Sequence, residues 1–463
     1  MGLRSVVLNQ SFSGLLLFGV AVTFFTTLSV TIYRIWFHPL SHVPGPFVAK
    51  FTHWWQNYSY FSGNWFDDIL KVHEKYGPVV RISPDEISFV DGNALKRLYG
   101  HVKPCAKVPF PGFTADETRW YDTWYLPPAG HGIFSEQNIE SHGLRRRLVA
   151  NAYAMSSVLG YERKIQAILD TNWEQFRKFA SAGEAIDMDH WATYFAYDIV
   201  SELALGNALG MVRVGHDVNR VMESVLGLFY FVSNMGHVPL QSAWMMNPIS
   251  QFLINKLGTE SMKGAAVFRE WLTKSVGDRY YSDKQREEKD MLQYFIEAKD
   301  REGNPNTFNS VLTEAGNVLG AGADTVSIGI RAIMIYLIQN PETYKRLQKE
   351  VDNFYDKNIT IGEITYQQCL SLPFLQAVIK ESGRMYPSIV YQIPRYVPPE
   401  GINIAGYNIP PGTPAGISAL SMNRDKKIFG QDANTFRPER WLEDDAKAKY
   451  MDSLLATVNV CQD

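Results

Sequence analysis

The chain has 463 residues, 46% of them hydrophobic and 20% charged, with a formal net charge of −3. It is long enough for a large buried core, and so small a net charge gives no electrostatic case for nucleic acid as a partner. The three cysteines, Cys105, Cys369 and Cys461, stand far apart with no CxxC or zinc spacing, which argues against a disulfide framework and for a reducing compartment.

At the N-terminus no residue between Arg4 and Arg34 is charged, and residues 14–32 read GLLLFGVAVTFFTTLSVTI. About 20 mostly apolar residues suffice for a membrane-spanning helix, so residues 1–34 read as a single-pass anchor with its helix at about 12–34. The alternative is a cleavable signal peptide, but the run is long for one and no small-x-small cleavage site follows. Trp36 and Phe37 come next, of the type that favours the membrane interface. His38-Pro39-Leu40 and Pro44-Gly45-Pro46 then make a stiff exit, so residues 35–50 read as a hinge and 51–463 as one continuous body.

In the body, helical patterns dominate. Two β-rich runs flank the Pro84-Asp85 turn in GPVVRISPDEISFVD (77–91), and short strands are expected in INIAGYNIPPGTPAGISA (402–419). The longest helix is expected from an N-cap at Asn309 to Asn340-Pro341, and its only charges are Glu314, Asp324 and Arg331. A helix apolar nearly all round is buried. Its centre, AGADT (321–325), places a glycine, an acid and a β-branched hydroxyl together. Gly322 would let a flat ligand approach the backbone. Thr325 can bond the Ala321 carbonyl and bend the helix, and Asp324 beside it can carry protons. A tightly packed helix with a backbone-bonded Thr and a paired Asp is the plainer alternative.

Further on, Glu381 and Arg384 share a helix face in LPFLQAVIKESGRMYP, followed by Pro394-Arg395 and then FRPERW (436–441). Upstream, residues 134–154 carry His142 and Arg146. The order AGADT, ESGR, PR, FRPERW behind an anchor and a PGP hinge resembles the cytochrome P-450 family. The stretch GAGADTVSIGI is similar to fungal microsomal members of the pisatin demethylase-like group. The resemblance spans nearly the whole chain.

That resemblance implies a mainly α fold with small β-sheets, a haem b cofactor, and electrons from NADPH through NADPH–cytochrome P-450 reductase. The reaction it implies is insertion of one oxygen atom from dioxygen into a lipophilic small molecule, such as a terpenoid or polyketide of secondary metabolism, at the endoplasmic reticulum membrane with the body cytosolic. Residue by residue, Gly322, Asp324 and Thr325 would line the oxygen pocket, the last two relaying protons. Glu381, Arg384 and Arg440 would form a buried structural charge network. His142, Arg146 and Arg395 would hold the haem propionates, although the family often has Trp at the His142 position. Arg145 and Arg147 add positive charge for an acidic reductase, or form a solvated basic face. The substrate pocket would draw on Phe113, Trp120 and Trp124, on residues 229–246 and on residues 389–391.

The family's haem iron is held by a cysteine thiolate in a Phe-x-x-Gly-x-Arg-x-Cys-x-Gly loop after FRPERW, followed by a helix. Here the text continues through Thr457 to VNVCQD, with no Phe, Gly or Arg around Cys461. Cys461 is the cysteine nearest that place, and the loop and following helix are expected to be missing. Val458-Asn459 can be encoded by GTAAAT, which resembles an intron start, so a retained intron is one expected origin of the tail. The competing expectation for such a chain is an inactive relative that does not hold haem.

Overall fold

The computed structural model describes residues 12–100, 105–108, 120–124, 130–241, 247–258, 260–282, 289–357 and 364–456. It is the expected mainly α fold with two small sheets.

The apolar N-terminal run forms helix α1 (Phe12–Ile32), continued by a π-helical turn over Tyr33–Phe37. The span Leu16–Phe37 has a mean hydropathy of 1.9 and buries nothing against the body. At His38 the backbone turns extended, as the following proline demands. Beyond it the hinge packs into the body, with Leu40 and Val43 buried. The fully buried Arg81 guanidinium donates to Arg34 O at 3.0 Å and to Pro84 O, and the Arg81 N–H bonds Pro44 O at 2.8 Å. Gly45 is required here, because a Cβ would lie 2.2 Å from Arg81 O.

Helices α2 (Trp54–Phe61) and α3 (Trp65–Tyr76) lead into strands β1 (Val79–Arg81) and β2 (Ile87–Phe89), which pair antiparallel around the predicted turn. The remaining strands come late in the chain: β3 (Arg395–Tyr396), the hairpin β4 (Ile402–Ile404) and β5 (Tyr407–Ile409), and β6 (Pro414–Ile417). Strand β6 runs parallel to β2 and antiparallel to β3, giving the order β1-β2-β6-β3. Segments 300 residues apart in sequence are thereby joined in one sheet.

The helices that build the site are α4 (Ile139–Tyr153), α5 (Met188–Leu205), α6 (Val221–Met235), α7 (Phe308–Gln339) and α8 (Pro373–Met385). The long apolar helix predicted from sequence is α7. It passes a membrane-span test by composition alone, but α5, the Glu260–Tyr280 helix and α8 pack around it, so it is the central core helix. Its N-cap is Thr307, whose hydroxyl accepts from Ser310 N, and not Asn309 as expected. Asn309 lies inside the first turn, where its carbonyl accepts from Thr313 Oγ1 at 2.7 Å. Two buried apolar clusters flank this helix: one under the four-stranded sheet, the other between α5, α6 and the N-terminal half of α7.

Candidate active site

The centre of α7 carries the first part of the site. Thr325 Oγ1 donates to Ala321 O at 2.8 Å and reaches Gly322 O at 3.2 Å, the backbone bond its hydroxyl was expected to make. Ser388 Oγ, from the segment after α8, donates to Thr325 O at 2.9 Å. Asp324 is half-buried, and its carboxyl has no hydrogen-bond partner among the described residues. Burial pushes its pKa up, and Arg331 one helical stretch later opposes the rise. Arg331 itself pairs with Asp189 on α5. Gly322 differs from expectation in direction: a Cβ there would lie 3.2 Å from Val200, so the space it leaves is filled by α5. Its missing side chain serves close helix packing.

The second part is the charge network, which assembles as expected. The Glu381 carboxylate accepts from Arg384 Nε and Nη2, both at 2.8 Å, and from Arg440 Nε at 3.0 Å. Trp441 Nε1 at 3.0 Å and Arg437 N at 2.8 Å complete its shell. Glu381, Arg384 and Arg440 are at most 1% exposed. The guanidinium groups spend their remaining protons on carbonyls: Arg384 on Asn423 and Ala433, Arg440 on Phe429 and on Asp432. Burial alone would raise the Glu381 pKa. The Arg384 hydrogen bonds and the charges of Arg384 and Arg440 overcome it and hold the carboxyl below its ordinary range.

The third part is cationic. Arg395 on β3 is buried, its guanidinium bonded to the Tyr121 hydroxyl and lying 5.1 Å from the Tyr99 ring. Tyr121 packs on Phe134, and its neighbour Ile133 donates its N–H to Glu314 on α7 at 3.1 Å. Residues 131–137 thus run from Arg395 across α7 and into α4, where His142 is half-buried and Arg146, one turn on, is exposed. Arg145 pairs with Glu136 at 3.1 Å. Phe113, in the expected substrate pocket, and Cys461, the expected metal ligand, lie outside the described residues.

These residues suit haem, a flat apolar ring with two carboxylates. Ala321 and Val326 are exposed although they sit at the middle of the central core helix, and a Cβ at Gly329 would meet nothing within 4 Å. An open apolar helix face beside guanidinium donors matches both halves of that molecule. Sequence reasoning missed Tyr121, Asp432 and Ser388. Ser388 lies just after ESGR and Asp432 just before FRPERW, but nothing local marks a tyrosine as the partner of an arginine 274 positions away.

Comparison with known proteins places the chain in a family. The Cytochrome P-450 family profile matches residues 43–456. The chain belongs to the cytochrome P-450 family. It is similar to pisatin demethylase of Fusarium vanettenii, 30% identical over 422 residues that cover 89% of this chain and 78% of that one. It is 32% identical to the cytochrome P-450 monooxygenase gsfF of Penicillium aethiopicum over 437 residues, 92% of this chain and 83% of the relative. Among solved structures, retinoic acid-bound cyanobacterial CYP120A1 superposes with a TM-score of 0.62 at 17% identity, covering 84% of this chain and 81% of that one, and shares the fold. Membership of this cytochrome P-450 family makes the chain an oxidoreductase by resemblance, with haem iron as the family's cofactor and electrons supplied by a reductase.

Proposed function

We propose that this cytochrome P-450 is a haem-dependent monooxygenase of secondary metabolism, taking a lipophilic R–H with dioxygen, NADPH and a proton to R–OH, water and NADP⁺. The observation that carries the reading is the Thr325 hydroxyl on an exposed stretch of an apolar core helix, beside a half-buried, unpaired Asp324. Haem, when bound, supplies the redox chemistry that activates dioxygen. Arg146 and Arg395, with His142, would hold its propionates. Asp324 keeps a proton further up the pH scale than an ordinary aspartate, and Thr325 presents an oxygen that can receive it and pass it on. Gly322 lets α5 lie close, keeping the back of this segment dry.

An apolar substrate is supported by the rings over α7: Trp124 lies 5.3 Å from Phe134 and 5.4 Å from Phe229, and Phe229 meets α7 at Gly320. The likeness to fungal P-450 monooxygenases supports a secondary-metabolite substrate. Helix α1 is the membrane anchor in this reading and residues 35–50 the hinge, docked on Arg81, with the body on the cytosolic face of the endoplasmic reticulum. There NADPH–cytochrome P-450 reductase would dock.

A second reading, a relative that does not hold haem, is favoured by one observation. Cys105 is buried with its thiol donating to Arg97 O, and burial pushes the thiols of both Cys105 and Cys369 up, away from thiolate. A single measurement separates the readings. The 463-residue chain is expressed, reduced and exposed to carbon monoxide. A strongly red-shifted Soret band that Cys461→Ala abolishes supports the monooxygenase with Cys461 as ligand, and no haem signal, or that of haem without thiolate, supports the second.

A further inference from the structure

Helix α6 meets the rest of the protein along a seam that is polar, buried and incompletely bonded. Gln56 on α2, Glu86 ahead of β2 and Gln392 ahead of β3 form one side, and Asn234 and His237 at the end of α6 form the other. All five are at most 5% exposed. The Glu86 carboxylate accepts from Gln56 Nε2 at 2.9 Å and from Gln392 Nε2 at 2.8 Å, which fixes both amide nitrogens as facing it. Gln56 Nε2 also reaches His237 Nδ1 at 3.4 Å. An amide nitrogen only donates, so Nδ1 accepts and the ring proton sits on Nε2. Burial supports the neutral ring, lowering the His237 pKa to about 3. Across the seam, Asn234 Oδ1 accepts from the Tyr391 hydroxyl at 3.0 Å.

What is left over is complementary. Among the described residues, two donors on the α6 side, His237 Nε2 and Asn234 Nδ2, have no partner, and on the facing side two acceptors, Gln56 Oε1 and Gln392 Oε1, have none. The Tyr60 ring stacks between His237 at 4.3 Å and Tyr391 at 4.7 Å, with its hydroxyl turned to Gln56 and Gln392. Buried polar groups in native proteins are almost always bonded, so orphans gathered at one interface call for a guest. An independent feature points the same way. Helix α6 is bracketed by non-glycine residues in the left-handed region, Asn219 at φ 56°, Arg220 at 55° and Leu240 at 59°. Strain of this kind gathers at ligand clamps and switch segments.

We propose that the seam is a binding subsite for a group that both donates and accepts a hydrogen bond, the hydroxyl of a lipophilic substrate, gripped between the α6 donors and the opposing amide oxygens as α6 shifts. The proposal rests on the reading that the chain acts on lipophilic small molecules, and it adds that those molecules carry a hydroxyl distant from the oxidised position. A water molecule offers the same chemistry, and the test separates the two.

The 463-residue chain in lipid nanodiscs is dialysed to equilibrium against 2-naphthol and against naphthalene, with empty nanodiscs subtracting lipid partition. The expected result is that 2-naphthol binds about tenfold tighter. His237→Phe, which keeps the ring on Tyr60, and Asn234→Ala each bring that preference below threefold and leave naphthalene binding unchanged. Equal binding of the two probes overturns the proposal, since a fixed water then fills the seam. So does an absence of saturable 2-naphthol binding, or a preference that survives both variants in chains whose circular dichroism matches wild type. The dialysis needs no haem, so a chain that fails the carbon monoxide test can still pass this one.

Discussion

Glu381→Gln is the sharpest test of how the core is held. The substitution keeps the side-chain shape but removes the one full negative charge that the Arg384 and Arg440 guanidinium groups share with no exposure to water. Of five hydrogen bonds to the carboxylate, those on the atom that becomes NH₂ are replaced by donor-to-donor contacts, and two buried cations lose their common counterion. Breaking a buried ion pair from one side costs about 3–5 kcal/mol. Asp432 bonds Arg440 at 3.0 Å but its side chain is 37% exposed, so solvent screening limits its share to about 1 kcal/mol or less. The assay is urea unfolding of the detergent-solubilised chain followed by far-ultraviolet circular dichroism, with the slope checked for constancy. A loss below about 1 kcal/mol for Glu381→Gln, or a loss as large for Asp432→Asn, would refute the reasoning that this carboxylate is the network's hub.

The same network makes a pH prediction. Because the folded Glu381 pKa lies below the unfolded value of about 4.3, its contribution is complete above that value and is lost as pH falls through the folded pKa. The stability gap between wild type and Glu381→Gln is therefore constant from pH 8 to 6 in the urea titration and narrows only below about pH 4. Gly322→Val places new methyl groups against Val200, which a Cβ already approaches at 3.2 Å, and should cost about 1–3 kcal/mol by the same assay; a neutral result would show that α5 yields. Asp324→Asn removes the proposed proton carrier and keeps its shape, so turnover of the haem-loaded enzyme with reductase and NADPH should fall by roughly 10²-fold with haem content unchanged. Unaltered turnover would exclude Asp324 from proton delivery.

The fold was legible where the signal is local and repeated. An uncharged run of membrane-spanning length, a 32-residue apolar helix and the turn marked by Pro84-Asp85 each carry their own physical cause. The glutamate–arginine network was legible only through the family resemblance that ESGR and FRPERW carry, since the Glu381–Arg384 pair alone reads as an ordinary helix-face salt bridge. Directions across the fold were not. Nothing near Gly322 tells whether it faces a ligand or Val200, because a glycine records only that something comes close. Thr307 and Asn309 are both good caps two residues apart, and only backbone geometry decides between them. The seam of Gln56, Glu86, His237 and Gln392 draws on distant segments, Glu86 and Gln392 alone being 306 positions apart, with no spacing to betray it.

These parts are mechanically connected, which explains why a structural network belongs beside a catalytic helix. Glu381 fixes the C-terminal turns of α8 to the FRPERW segment, and the chain leaving α8 reaches Ser388 within seven residues. Ser388 Oγ then bonds the carbonyl of Thr325 itself, so the Ala321–Thr325 turn is held from outside α7 as well as by its own hydroxyl. Three and four residues on, Tyr391 and Gln392 enter the α6 seam, and Arg395 follows at the cationic end. One short stretch, residues 381–395, therefore sets the rigid core, the Thr325 turn proposed to handle protons, the proposed hydroxyl subsite and the arginine proposed to bind a haem carboxylate in fixed relation. A shift of α8 by loss of Glu381 would be felt at all four, and its effect on Thr325 would reach the chemistry through a single hydrogen bond of 2.9 Å.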